Sequence, residues 1–172
     1  MNEAMKNLLE RRSIRSYEPR QLDEETLQAI IEAGQYAPSA MGRQPTHLVV
    51  IQDAEEIANL SRMNAAIMGA DSDPFYGAPT VIVVLADATL PTAVEDGSLV
   101  LGNLMNAAHA MGVGSCWIHR ARQEFDSPEG KALLAKWGVE GEWIGVGHCI
   151  LGYVAGEIPA PAPRKPGFVT RV

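Results

Sequence analysis

The chain has 172 residues, of which 47% are hydrophobic and 20% charged, and its formal net charge is -7. This composition excludes a disordered or collagen-like chain, and the length predicts one domain over residues 1–172. The acidic balance argues against nucleic acid or an anionic membrane as a partner. Cys116 and Cys149 are too few for a disulfide framework. Because no secretory signal is legible either, we expect a cytoplasmic protein.

The first half of the chain alternates helical and extended patterns. Apolar spacing near 3.6 residues predicts helices, with Asp23 as the N-cap of the second, and β-branched runs predict strands. In chain order the predicted elements are a helix over 2–10, a helix over 22–37, a small-residue loop over 37–45, a strand over 46–52, a helix over 54–68, a loop or flap over 69–79 and a strand over 80–86.

The second half continues this alternation. The predicted elements are a helix over 91–111, a strand over 114–118, a helix capped by Ser127-Pro128 that runs to 137, a strand over 147–154 and an extended proline-rich arm over 158–166. The uncharged run 97–119 is interrupted by Asn103, Asn106 and glycines, so it does not predict a membrane span. Apolar residues on every side of helix 91–111 instead predict a central helix that is buried on all sides, with a subunit interface as one way to bury it. Strands separated by helices imply a layered fold.

Four residues have side chains that suit zinc or covalent catalysis: Cys116, His119, His148 and Cys149. Side chains that are adjacent or three apart on a strand face opposite sides, so each segment offers one ligand and no metal is expected. Cys149 lies in a strand with a buried pattern, and Cys116 has His119 nearby but no adjacent cation to lower its pKa. We therefore interpret both cysteines as buried structural residues.

Many of the positive charges cluster near the two ends of the chain. Arg11, Arg12 and Arg15 fall close together near the start, and Arg164 and Lys165 lie near the end. If the fold brings the ends together, they form a cationic pocket for a phosphorylated ligand. The alternative is that terminal charges are simply solvated.

Six short segments in this order resemble the nitroreductase family of flavin mononucleotide (FMN)-dependent oxidoreductases. They are Arg-Arg-Ser-Ile-Arg-Ser-Tyr at 11–17, Ala-Pro-Ser-Ala at 37–40 with Gln44-Pro45, Gly-Ala-Pro at 77–79, Gly-Val-Gly-Ser-Cys-Trp-Ile at 112–118, Ile-Leu-Gly-Tyr at 150–153 and Pro-Arg-Lys-Pro at 163–166. The resemblance implies an α+β fold built as a three-layer α/β/α sandwich around a mixed or antiparallel sheet. It also implies a homodimer with an extended C-terminal arm.

The resemblance implies a role for each matching residue. Arg11, Arg12 and Ser13 would hold the FMN phosphate and ribityl chain. Arg15 would lie near the pyrimidine end of the flavin, where a cation stabilises the negative charge of the reduced ring. The remaining residues implied to bind the cofactor are Arg164 and Lys165 from the tail, Pro38, Ser39, Ala40 and Gln44 from the partner subunit, and Trp117, Ile118 and His119 near flavin N5.

The chain departs from the family pattern in two places. Gly42-Arg43 stands where many relatives have an asparagine and a small polar residue, which affects substrate choice. The chain is also short for the family, so residues 68–76 would be the remainder of a lid. Phe75 or Tyr76 would cover the substrate, or simply pack under the loop. His119 likewise would donate a proton to substrate or only pack.

The resemblance implies an FMN-dependent NAD(P)H oxidoreductase with ping-pong hydride transfer to a nitroaromatic, quinone or similar acceptor. Because FMN carries the chemistry, no catalytic triad is required. The alternatives are a reductive dehalogenase or flavin-degrading enzyme on the same fold, an FMN-binding carrier or regulatory protein without efficient turnover, and a generic α/β domain.

Overall fold

A computed structural model describes all residues from Met1 to Val172. The two predicted N-caps, Asp23 and Ser127, are present, and Asp53 is a third: each accepts a hydrogen bond from a backbone N–H group in the first turn of a helix. The helices and strands are α1 Glu3–Glu10, α2 Glu24–Gln35, β1 Thr46–Ile51, α3 Ala54–Met68, β2 Thr80–Asp87, α4 Ala93–Ala110, β3 Gly114–Ile118, α5 Ala121–Asp126, α6 Pro128–Lys136 and β4 Trp143–Gly152.

The four strands form one sheet in the order β1-β2-β4-β3, and every neighbouring pair is antiparallel. β2 and β4 lie at the centre, and β2 is buried along almost its whole length because both faces of the sheet are covered. β3 is therefore an edge strand, and its outer side is available to another segment of the chain.

Helices cover the sheet on both faces, which confirms the three-layer α/β/α arrangement. On one face, Leu27 and Ile30 of α2 and Leu101 and Leu104 of α4 pack against the sheet. The residues buried on the opposite face include Leu60 and Met63 of α3, Phe125 of α5 and Leu133 and Leu134 of α6, together with Val81, Val83 and Leu85 of β2. The alternation along β2 divides these residues between the two cores.

β4 contains a bulge that the sequence prediction missed. Val84 pairs with Gly147 and Leu85 pairs with Gly145, so Val146 is the extra residue. The glycines are required here: a Cβ on Gly145 would lie 2.2 Å from Ala121 O, and one on Gly147 would lie 2.6 Å from Trp117 Nε1. The prediction started this strand at 147 because two glycines resemble a strand break, whereas the strand begins at Trp143.

Two other short elements were missed for a similar reason. α5 has six residues, too few to show helical periodicity, and a 3₁₀ turn at Ala40–Gly42 lies inside the predicted small-residue loop. Predicted α3 agrees with the structure at both ends. The other helices end within three residues of their predicted limits, which is where helix ends fray.

Several apolar side chains are exposed in one copy of the chain. The predicted cover on every side of α4 is incomplete within one chain, since Val94 and Leu99 are about half exposed, and no residue of α1 is buried. Residues 156–172 form no helix or strand and are exposed, consistent with an extended arm. No helix has the length and apolar character needed to cross a bilayer.

Candidate functional site

The basic N-terminal segment runs along the free edge of β3. Ile14 N donates a hydrogen bond to Ser115 O at 2.9 Å, and Ser13 and Ser115 form a parallel bridge. A second bridge, between Tyr17 and Val154, continues the attachment. The segment that follows α1 is therefore held in register beside the strand that ends in Trp117 and Ile118, so its charges lie at a fixed place on the fold.

This attachment brings Arg15 to a cavity of about 190 Å³ at the C-terminal end of β3. Trp117, Ile118 and His119, three of the predicted cofactor residues, line the same cavity. Trp117 and Ile118 are the last residues of the strand and His119 follows it. The remaining lining residues are Met68, Ser72, Asp73, Pro74, Tyr76, Cys116 and Arg120.

Arg11 and Arg12 present buried donors that nothing in the chain satisfies. Arg11 Nη1 and Arg12 Nε are buried and have no hydrogen-bond partner, although Arg12 Nη1 donates to two backbone carbonyls. An unpaired buried guanidinium nitrogen is costly, and a phosphate oxygen is its natural partner. Burial lowers the pKa of nearby His109, and the charge of Arg11 lowers it further. These residues therefore fit a phosphate group.

The predicted loop over 37–45 lies elsewhere, at the start of α4. Ala40 N donates a 2.8 Å hydrogen bond to buried Asp96, and Gln44 N donates to Ser39 Oγ. Neither these residues nor Pro38 lines the cavity beside Arg15. Within one chain, the structure does not join this loop to the rest of the predicted site.

The tail residues are also separate from the cavity in one chain. Arg164 and Lys165 are exposed, and neither forms an ion pair or a side-chain hydrogen bond within the chain. The expected convergence of the two basic ends is not formed within a single copy. Their assignment to FMN stays a prediction.

The predicted lid is an ordered loop whose two aromatic residues differ. Phe75 is fully buried, with its ring 5.1 Å from that of His148, so packing is its role. Tyr76 is 42% exposed and lines the cavity, and the Arg15 guanidinium lies 5.9 Å from its ring centre. Asp73 holds this loop, because its carboxylate accepts from Ser61 Oγ and from two backbone N–H groups.

Three polar residues of this region were missed by the sequence analysis: Asn64, Asp73 and Arg120. Asn64 is fully buried and joins α3 to the segment after β3, since its Nδ2 donates to His119 O and its Oδ1 accepts from Arg120 Nε. These contacts span more than fifty residues of sequence, so no local pattern signals them. Asp73 differs from the other two, because it precedes Pro74 in a sequence pattern that is typical of a turn.

The two thiols lie on opposite faces of the sheet. Cys116 belongs to the core under α3, α5 and α6, and Cys149 to the core under α2 and α4. Both are buried and free, which confirms the predicted structural role. Burial raises the pKa of Cys149, so its thiol is a poor nucleophile. Tyr17 also has a raised pKa because of burial, and its hydroxyl donates to Ile14 O at 2.6 Å.

A larger groove of about 790 Å³ lies between α3 and the loop that carries Asp73. Many of its lining residues are alanines of α3, and none of the predicted cofactor residues is among them. The chemistry-bearing side chains thus meet at the smaller cavity. Asp73 contributes to both, since the loop forms the wall between them.

Comparisons with known proteins identify the family. A family model described as the nitroreductase family matches residues 8–72 and 63–153. Over 123 residues the chain is 37% identical to a provisionally named NADH dehydrogenase/NAD(P)H nitroreductase of Archaeoglobus fulgidus, covering 69% of this chain and 68% of the relative. It is 31% identical over 140 residues to an FMN reductase of Bacillus subtilis, covering 71% of this chain but 56% of that protein.

Solved structures extend the likeness to the whole chain. A nitroreductase with bound FMN from Bacteroides fragilis superposes with a TM-score of 0.92 at 30% identity, covering 100% of both chains. A second FMN-bound nitroreductase, from Desulfitobacterium hafniense, gives 0.89 at 26% identity and covers 100% of this chain and 99% of the other. The motifs, the fold and these matches agree, and the chain belongs to the nitroreductase family.

Proposed function

We propose that the protein is an FMN-dependent NAD(P)H oxidoreductase that reduces a small electron-poor acceptor such as a quinone or a nitroaromatic. The observation that carries this proposal is the position of Arg15 beside Trp117, Ile118 and His119 in one cavity. The unsatisfied guanidinium nitrogens of Arg11 and Arg12 support it, because they suit the phosphate of FMN. FMN-bound structures of the same fold support the choice of cofactor.

FMN, when bound, supplies the acceptance and donation of hydride. Arg11, Arg12 and Ser13 would hold its phosphate and ribityl chain, and the Arg15 guanidinium would stabilise negative charge on the reduced ring. The end of β3 positions the backbone of Trp117, Ile118 and His119 rigidly, because β3 is paired with β4 on one side and with the N-terminal segment on the other. Rigid placement of ligands is the main contribution this chain makes.

Tyr76 and His119 face the space that a substrate would enter. Tyr76 lines the cavity from the loop held by Asp73, so its ring is placed to exclude water and to stack on a planar acceptor. His119 is exposed at the same cavity, where it is placed to donate a proton to a reduced acceptor. Both roles are proposals that rest on position.

The proposal includes a homodimer that completes the site. Exposed apolar side chains on α1 and α4, among them Leu8, Leu9, Val94 and Leu99, form a surface of the kind that a second subunit covers. Pro38, Ser39, Ala40 and Gln44 would then reach the cofactor from the partner subunit. Arg164 and Lys165 of the tail would add positive charge near the phosphate. A cytoplasmic location is also part of the proposal, because a chain with only two cysteines suits a reducing compartment.

The experiment that tests this function is steady-state turnover of the FMN-loaded protein. Oxidation of NADH and of NADPH is followed at 340 nm, with menadione or a nitroaromatic as acceptor and with free FMN alone as the blank. Turnover well above the blank is expected with at least one nucleotide. Bound FMN without turnover would mean that the protein is a flavin carrier and not an enzyme. Failure to bind FMN would refute the proposal.

A further inference from the structure

Arg120 has a backbone conformation that arginine rarely adopts. Its φ is 80° and its ψ is 1°, in the left-handed region that glycine and asparagine occupy at much lower cost. It stands immediately before α5 and makes no side-chain capping bond to that helix. Retention of an arginine in such a position points to a use for its side chain at the cavity that it lines.

Neutral groups hold the Arg120 side chain in place. Its Nε donates to Asn64 Oδ1 at 3.0 Å, and its Nη2 lies 3.1 Å from Met68 Sδ. Asn64 is fully buried and is itself fixed by its 2.8 Å bond to His119 O. The guanidinium is therefore oriented by α3 without being neutralised, and several of its five N–H donors remain free.

The cavity carries positive charge although the chain as a whole is acidic. Neither Arg15 nor Arg120 has a carboxylate within ion-pair distance. The one acidic residue in the lining is Asp73, and its two oxygens already accept three hydrogen bonds from Ser61 and the loop backbone. The two guanidinium groups thus share the cavity with one carboxylate that pairs with neither of them, and the cavity keeps a net positive charge.

We propose that Arg120 is a specificity-determining residue that binds an anionic substituent of the electron acceptor. The expected acceptor is a planar, electron-poor ring that carries a carboxylate or a sulfonate. The proposal rests on the proposed function, in which Arg15 serves the flavin and Arg120 remains free for the acceptor. A phosphate of the nicotinamide donor has the same charge chemistry, so the experiment separates the two sources.

The test uses the FMN-loaded protein and two acceptors of nearly equal size and shape, 4-nitrobenzoate and 4-nitrobenzamide. Their dissociation constants for the oxidised protein are measured without any nicotinamide, from the quenching of tryptophan fluorescence. Arg120 is replaced by Gln, by Lys and by Gly. Gly suits the left-handed backbone, so Arg120→Gly removes the charge from a chain that still folds. Arg122→Gln, which removes an exposed cation two residues away, is the matched control.

The wild type and Arg122→Gln should bind the carboxylate about tenfold more tightly than the amide, the effect expected of one charge-assisted hydrogen bond. Arg120→Gln and Arg120→Gly should bring this ratio close to one, and Arg120→Lys should keep part of it. The ratio of kcat/KM values for the two acceptors should change in parallel, while KM for NADH and for NADPH stays unchanged.

Three results would overturn the inference. The ratio could be the same in Arg120→Gly as in the wild type; the variants could raise KM for NADPH alone, which assigns the cation to the donor; or they could lose FMN, which assigns it to the cofactor. In each of these cases the wild type still binds FMN and is reduced by nucleotide. A wild type that fails to bind FMN would instead refute the proposed function.

Discussion

Ile14 N and Ser115 O are joined by a 2.9 Å hydrogen bond between the N-terminal segment and the outer edge of β3. On the N-terminal segment the bond lies between Arg12 and Arg15, and on β3 it lies next to Cys116. It sets the register in which guanidinium groups meet the end of the edge strand. A β3 edge without this segment would leave the cavity without Arg15.

Replacement of Arg11 by Gln should weaken FMN binding by about 10- to 100-fold, because a charge-assisted hydrogen bond to phosphate is lost. The FMN dissociation constant is measured by the quenching of flavin fluorescence as protein is added. Arg20→Gln is the control, since Arg20 is exposed and pairs with Glu18. Equal affinities in the two variants would show that Arg11 does not contact the phosphate.

His109 reports the charge of the phosphate site. Burial first and the charge of Arg11 second lower its pKa below the ordinary 6.5. A bound phosphate offsets the charges of Arg11 and Arg12, so the pKa of His109 should rise when FMN is added. The measurement is an NMR titration of the imidazole resonances with and without FMN. An unchanged pKa would place the phosphate elsewhere.

The lowered pKa of His109 also predicts how the stability of the fold depends on pH. The folded chain resists protonation of His109, whereas the unfolded chain takes up the proton near pH 6.5. The contribution of His109 to stability is therefore present above that pH and is lost as the pH falls through the lower folded-state pKa. In Arg11→Gln this loss should be smaller. Urea unfolding of the FMN-free wild type and of FMN-free Arg11→Gln at several pH values measures this loss of stability. An equal loss in the two proteins would contradict the effect of Arg11 on the pKa of His109.

Gly145→Ala should destabilise the fold by about 1–3 kcal/mol, because the new methyl group would meet the carbonyl oxygen of Ala121 at the start of α5. The shift of α5 should also disturb Arg120, the residue that precedes it. Thermal and urea unfolding measure the change. Ala132→Ser, which adds one atom at an exposed position of α6, is the control and should leave stability within about 0.5 kcal/mol. A neutral Gly145→Ala would show that the bulge is not close-packed.

Leu99→Asp should convert the dimer to a monomer and reduce the FMN content, because a charge would be buried in the proposed interface. Leu99 is about half exposed on α4 in one chain. Val50→Asp, at an exposed apolar position on β1, is the control. Sedimentation velocity gives the mass and absorbance gives the flavin content. A dimeric Leu99→Asp with full FMN would remove α4 from the interface.

Local signals predicted most of the fold but little of how the site is held together. Asp23 and Ser127 could be predicted as helix starts because capping depends on neighbouring residues in sequence. The first half of β4 was missed because the need for Gly145 arises from α5, which packs on it only in the folded chain.

The same distinction applies to the candidate site. The family resemblance identified Arg15 and residues 117–119, which the structure brings to one cavity. Arg120 and Asn64 were missed because their importance depends on a contact between α3 and the end of β3. Phe75 could not be separated from Tyr76 by sequence, since only the fold determines which of two adjacent rings enters the core.

The proposed function requires that this chain hold FMN and exchange electrons with a reduced nicotinamide. An anaerobic absorbance spectrum of the FMN-loaded protein between roughly 350 and 500 nm, before and after NADH and then NADPH, tests it most directly. The flavin bands should bleach with at least one of the two nucleotides. Bands that persist with both nucleotides, or no bound flavin at all, would contradict it.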